Sequence, residues 1–120
     1  MQLLWVFIGG GIGSMVRYLL GMAFSKSTLS LPVATLSANI ISCSVFAISL
    51  WAFHQKLLEN QNLRVFILTG ICGGLSTFSA FSFETFELLK QQNYLWASAN
   101  IVISVVLCIL IFYTFIGKLS

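Results

Sequence analysis

Thr69-Gly70-Ile71-Cys72-Gly73-Gly74-Leu75-Ser76-Thr77-Phe78-Ser79-Ala80-Phe81-Ser82-Phe83-Glu84 lies inside a longer apolar run, Leu63–Leu89. The run is long enough to cross a bilayer core, which needs about 20 apolar residues. Three glycines and five hydroxyl residues crowd its middle, a composition that makes a poor continuous helix. A break is expected there, with a simple kink as the other reading. Irregular backbone at membrane depth persists only where protein or a water-filled cavity satisfies it, and carbonyl oxygens freed at a break suit a hard cation. Past the break, Phe78, Phe81 and Glu84 recur every third residue and so share a helical face. Ring edges carry the positive part of the aromatic quadrupole and can face an anion, although packing alone also explains the rings.

Three further apolar stretches flank this one: Leu3–Met22, Leu31–Phe53 and Leu95–Gly117. Together the four consume most of the 120 residues and leave links too short for another domain, so residues 1–120 read as a single transmembrane unit. The composition agrees: 58% hydrophobic, 8% charged, one proline and a mean hydropathy of +0.98. A soluble domain is about 25% charged, so most of this surface has lipid as its solvent. The runs are apolar on all sides rather than alternating, which excludes transmembrane β-strands and makes the fold all-α. The first run continues through glycines to Arg17 instead of ending at a cleavage site, so it is read as retained.

Four crossings put both termini and the middle link on one side, with Lys56, Arg64 and Lys118, against Lys26 and Lys90 on the other. Orientation follows the Lys/Arg excess, and three against two is a slight excess. Either one weakly signalled topology results, or the chain inserts both ways up and forms an antiparallel dimer. Four short helices have little room to enclose a path, which favours one lying between subunits.

The other spans carry polar interruptions on single faces. Gly9, Gly13, Arg17 and Gly21 recur every fourth residue, a small-residue stripe that lets helices approach closely. Arg17 either snorkels to the interface or builds an electropositive vestibule for anions. Thr35, Asn39, Ser42, Phe46 and Ser49 form one face of the second span; the Asn39 amide is either interhelical glue or a donor to an anion. Asn100, Ser104 and Cys108 step by four in the last span. Glu84 is either wet near the span's end or buried with a partner or a proton. Cys43, Cys72 and Cys108 are separated in sequence and lie within spans, where thiols act as small hydrophobes, so neither a disulfide nor a thiol-bound metal is expected. His54 alone makes no metal site. No basic stripe serves nucleic acid, and no set of nucleophile, base and orienter indicates an enzyme.

Gly9-Gly10-x-x-Gly13-x-x-x-Arg17-Tyr18, Thr35-Leu36-x-x-Asn39, Gly73-Gly74-Leu75-Ser76-Thr77-Phe78-Ser79-x-Phe81-Ser82-x-Glu84 and Asn100-Ile101-x-x-Ser104 together resemble the CrcB/Fluc fluoride channels, in order and across all four spans. The third-span motif is highly specific. The resemblance implies a dual-topology antiparallel homodimer in the plasma or inner membrane of a microbe, with two pores exporting fluoride passively and so relieving its toxicity. It implies a third helix broken mid-membrane and a structural sodium ion at the dimer centre, held by backbone carbonyls at positions matching Gly73 and Ser76. It further assigns the pore to Asn39, Phe78 and Phe81, with the hydroxyls of Thr77 and Ser104 near the path, Arg17 in the vestibule and Glu84 as the family's acidic residue. Four positions depart from the pattern: Ser76 for a frequent threonine, Ala80 for a threonine, Ser42 for a glycine and Cys108 for a serine.

Two rivals come from other classes. A small multidrug-type exporter also has four short spans, but it wants a membrane-buried carboxylate, whereas the first span carries Arg17 and no acid. A non-conducting assembly subunit accounts for the small-residue stripes and leaves the donor-lined faces unexplained.

Overall fold

The computed structural model describes residues 2–24 and 33–117. Lys26, Leu31 and Lys118, which enter the expectations above, lie outside the described residues. The order is α1 (Gln2–Ala23), α2 (Val33–Glu59), α3 (Gln61–Arg64), a π-helical segment (Val65–Ile71), α4 (Cys72–Leu75), α5 (Phe78–Lys90) and α6 (Tyr94–Phe115). Taken as Gln61–Lys90, the middle segments form one crossing, and four helices are long and apolar enough to span a membrane.

α2 continues past Phe53, where the backbone kinks (φ −122°, ψ 28°), and ends at Glu59. The turn into the third crossing is therefore a single residue. Asn60 makes it by leaving helical dihedrals and accepting the Leu63 N–H on its side chain at 3.1 Å, which satisfies one donor of the new helix. Gln2, Lys56 and Asn60 line one cleft, so the chain's start and the middle link share an end. At the opposite end Gln92 turns the chain with φ 59°, while the Gln92 and Asn93 N–H groups donate to Leu89 and Leu88 carbonyls at 2.9 Å. That closes α5 in the manner of a left-handed C-cap.

α1 packs on the third crossing backbone to backbone. A Cβ at Gly9 would meet the Phe66 carbonyl, one at Gly13 the Ile71 carbonyl, and one at Gly74 the Gly10 carbonyl. The expected small-residue stripe thus works at Gly9 and Gly13, while Gly21 faces open space. Continuing the stripe, Arg17 donates from Nε to the Gly74 carbonyl at 3.2 Å, so it is tied to the protein and satisfies an oxygen at the end of α4.

The glycines are not themselves the break. Gly70 lies in the π-helical segment and Gly73 and Gly74 in α4, none with positive φ. The helix stops at Leu75 and resumes at Phe78, with Ser76 (φ −103°, ψ 147°) and Thr77 (φ −146°, ψ 127°) extended between. The body measures 49 × 31 × 20 Å. Its accessible surface is 7727 Å², above the roughly 6,500 Å² of a compact soluble monomer of this mass. Small residues such as Ala38, Ala47 and Ala97 are buried, while Leu3, Phe7 and Leu95 face outward, the pattern of helices packed closely in an apolar solvent.

Candidate functional site

The interruption opens onto a groove of about 300 Å³. α2 lines it with Asn39 and Cys43, and the extended pair Ser76 and Thr77 forms its floor. Phe78 and Phe81 of α5 and Ser104, Val105 and Cys108 of α6 complete it. Five residues singled out for an anion path, Asn39, Thr77, Phe78, Phe81 and Ser104, therefore converge on one surface from three crossings. Among the described residues no charged side chain lines that surface.

Its geometry follows from where the backbone groups at the interruption find partners. The Cys72 carbonyl accepts the Ser76 N–H at 3.1 Å, the Ser76 hydroxyl at 3.0 Å and the Ser42 hydroxyl at 2.9 Å. Three donors on one oxygen hold the end of α4 against α2. Ser42, where a glycine is usual in the resembled pattern, is one of these ties. Thr77 does not cap α5; its hydroxyl pairs with that of Ser79 at 2.8 Å. The rings of Phe78 and Phe81 lie 5.9 Å apart between centroids, tilted by 43°, and Phe78 is 80% exposed.

A second chain of contacts fixes Phe81 from behind. Asn100, 1% exposed, donates from Nδ2 to Thr85 Oγ1 at 3.0 Å, and Thr85 donates to the Phe81 carbonyl at 2.8 Å. The polar face of the last span is thus divided: Asn100 locks α6 to α5, while Ser104 and Cys108 line the groove. Sequence reasoning passed over Thr85 and read Cys43 only as a small hydrophobe, although each stands four residues beyond a residue it did select, Phe81 and Asn39.

Two polar groups on the groove lack hydrogen-bond partners among the described residues. The Asn39 carboxamide makes no hydrogen bond among the described residues; beyond the helical ladder its backbone carbonyl accepts from Cys108 Sγ at 3.7 Å. Ser104 Oγ is buried without any partner, a state that normally costs about 1–3 kcal/mol unless a ligand or water completes it. Such a wall can donate hydrogen bonds to an acceptor while placing no full charge beside it.

Arg17 and Glu84 lie together in a neighbouring cleft of about 520 Å³, with Thr35 and Ala80. Glu84 Oε1 accepts the Thr35 hydroxyl at 2.6 Å, and Oε2 is buried without a partner. Gly73 and Ser76 sit at the interruption. Gly73 is exposed, with open space where a Cβ would project, and neither its carbonyl nor that of Ser76 accepts a backbone hydrogen bond from the extended pair or the start of α5. Among the described residues no three His, Cys, Asp or Glu side chains gather as a metal cluster.

Residues 4–117 match the family described as CrcB-like protein, Camphor Resistance (CrcB). The fluoride-specific ion channel FluC 1 of Yersinia pseudotuberculosis serotype I (strain IP32953) is 38% identical over 103 residues, 86% of this chain and 81% of its own length. The fluoride-specific ion channel FluC of Enterobacter sp. (strain 638) is 41% identical over 102 residues, covering 85% and 80%. That of Salmonella arizonae (strain ATCC BAA-731 / CDC346-86 / RSK2980) is 39% identical over the same length and shares. With nearly its whole length matched, helices and site included, this chain belongs to the CrcB family.

Proposed function

We propose that this chain is a fluoride-selective ion channel of a bacterial membrane, which lets fluoride leave the cytoplasm passively and so relieves its toxicity. No bond is made or broken, so it is not an enzyme. The relatives named as fluoride-specific channels support the reading, and the observation that carries it is the groove. Fluoride is small, strongly hydrated and a strong acceptor, so a path must replace its lost water with donors. The free Asn39 amide and the orphaned Ser104 hydroxyl supply donors, Thr77 adds a hydroxyl, and the rims of Phe78 and Phe81 add weak positive fields.

The working unit in this proposal is an antiparallel homodimer. The groove is open along one side of a body only 20 Å thick, and a second copy inserted the other way up would supply the missing wall. A Lys/Arg balance of three against two favours such dual insertion. The interruption at Ser76 and Thr77 would then lie mid-membrane. The unpaired carbonyls of Gly73 and Ser76 fit a hard cation in oxygen chemistry, so these residues would hold a structural sodium ion, which ties the two copies together. Arg17 and Glu84 would form the vestibule.

Flux from liposomes holding the purified protein tests the function. Rapid fluoride release with chloride retained is expected. Equal leakage of both anions, or none in sodium buffer, would refute it.

A further inference from the structure

Two of the three cysteines, separated by 65 positions in sequence, meet on the wall of the groove. Cys43 of α2 and Cys108 of α6 both line it, both are partly exposed, and neither is in a disulfide. Asn39 stands one helical turn before Cys43 on α2 and lines the same groove. Cys108 Sγ also lies 3.7 Å from the Asn39 carbonyl. On the same wall Ser104, 6% exposed, holds its hydroxyl buried and without a partner. Cys72 is different: it is 2% exposed and off this wall.

The donor set selects the ligand. With no third His, Cys, Asp or Glu gathered with them among the described residues, the pair cannot complete the four-coordinate shell that zinc prefers. Two sulfurs alone suit soft ions that accept two ligands. The uncharged surroundings favour a complex whose charge the two sulfurs can cancel, as two thiolates do for a divalent ion.

We propose that Cys43 and Cys108 form a two-thiol site for a soft, thiophilic divalent cation of the Hg(II) class, and that its occupation shuts the groove to anions. Binding is proton exchange and needs no oxidant: two thiols and Hg(II) give a neutral bis-thiolate and two protons. The metal then sits beside Asn39 and Ser104, in the space an anion must use. Closure rests on the fluoride reading above; binding does not.

The probe is mercuric nitrate. In fluoride-free sodium buffer, titration of the purified protein followed by sulfur-to-mercury charge-transfer absorption should saturate at one ion per chain. Mass spectrometry of the unmutated chain should show Cys43 and Cys108 protected together from N-ethylmaleimide. Cys43→Ser or Cys108→Ser should weaken binding by about 100-fold, as a chelate becomes a single ligand, and Cys72→Ser should not. Protection of one thiol alone, or equal affinity in either groove variant, overturns the site. In liposomes mercury should stop fluoride release, excess dithiothreitol should restore it, and at a mercury concentration that saturates the pair but not a single thiol each groove variant should keep its own untreated flux. Tight binding with flux unimpeded overturns the closure. Absence of fluoride release before mercury is added refutes the channel reading instead, and the titration still judges the thiol pair.

Discussion

Replacing Gly13 by alanine plants a methyl group against backbone that has nowhere to go. Its Cβ would lie 2.7 Å from Leu75 N and 3.1 Å from the Gly74 carbonyl carbon. Ordinary contact between such atoms begins near 3.5 Å, so α1 and α4 must part by about 0.8 Å here. The same movement takes the 3.2 Å bond from Arg17 Nε to the Gly74 carbonyl to about 4.0 Å, beyond hydrogen-bond range. Overpacking costs about 1–3 kcal/mol and loss of a hydrogen bond to a charged group about 1.5–3 kcal/mol. The helix propensity of alanine over glycine returns about 1 kcal/mol. The net expectation is a loss of about 1.5–5 kcal/mol. Gly11, two residues earlier on the same helix, has nothing within 4 Å of its would-be Cβ, so Gly11→Ala should keep only the propensity gain. Thermal unfolding of the two variants in detergent compares them directly. If Gly13→Ala melts no lower than Gly11→Ala, the backbone contact between these helices is wrong.

Ser104→Ala removes a hydroxyl that has no internal partner; fluoride flux should fall several-fold while the melting temperature holds, and unchanged flux would remove Ser104 from the path. Thr85→Val strands the buried Asn100 amide and removes the second donor on the Phe81 carbonyl, so stability should fall by about 1–3 kcal/mol. Adding Asn100→Ala to it should recover part of that loss in a double-mutant cycle, and strict additivity would mean that the link carries no energy. Arg17→Lys keeps the charge but lacks the Nε donor, so it should lower the melting temperature as Arg17→Met does; full stability in the lysine variant would show that charge alone matters. Exchanging sodium for N-methylglucamine should weaken flux or dimer assembly, and indifference to the exchange would count against the sodium site.

The sequence made the helices and the site residues legible in unequal measure. Apolar runs mark crossings because lipid leaves a backbone few alternatives, so four spans could be read with bounds shifted by a few residues. Glycine spacing on α1 announced a close approach, since fourfold steps on a helix fix a face. The partner of that face was not legible. Gly70 and Gly74, counted as helix breakers, turn out to be the other half of the contact, and the helix yields instead at Ser76 and Thr77. The π-helical winding of Val65–Ile71 has no signature in periodicity, because it answers to packing against α1 rather than to side-chain propensity. Thr85 was missed for a related reason: its work is to join Asn100 to a backbone oxygen, and the sequence shows no such join. Cys43 and Cys108 show the limit most clearly, for only the docking of α2 on α6 brings them together.

The separation of the charged cleft from the uncharged groove has a physical logic. A full positive charge about 4 Å from an anion is worth roughly 4 kcal/mol at the effective dielectric of a protein surface, enough to slow release about a thousandfold. A neutral hydrogen bond contributes about 1 kcal/mol net. Several neutral donors can therefore offset dehydration step by step without any one of them becoming a trap, which is the balance that conduction requires. Arg17 lines the cleft and not the groove, with its Nε tied to the Gly74 carbonyl. If the cleft is the vestibule proposed above, the Arg17 charge draws anions there, while the groove walls hold amide, hydroxyl, thiol, ring and the aliphatic Val105. Moving that charge inward, by Val105→Arg on the groove wall, should strengthen fluoride binding and slow its passage. Faster flux in that variant would show that attraction, and not release, limits the channel.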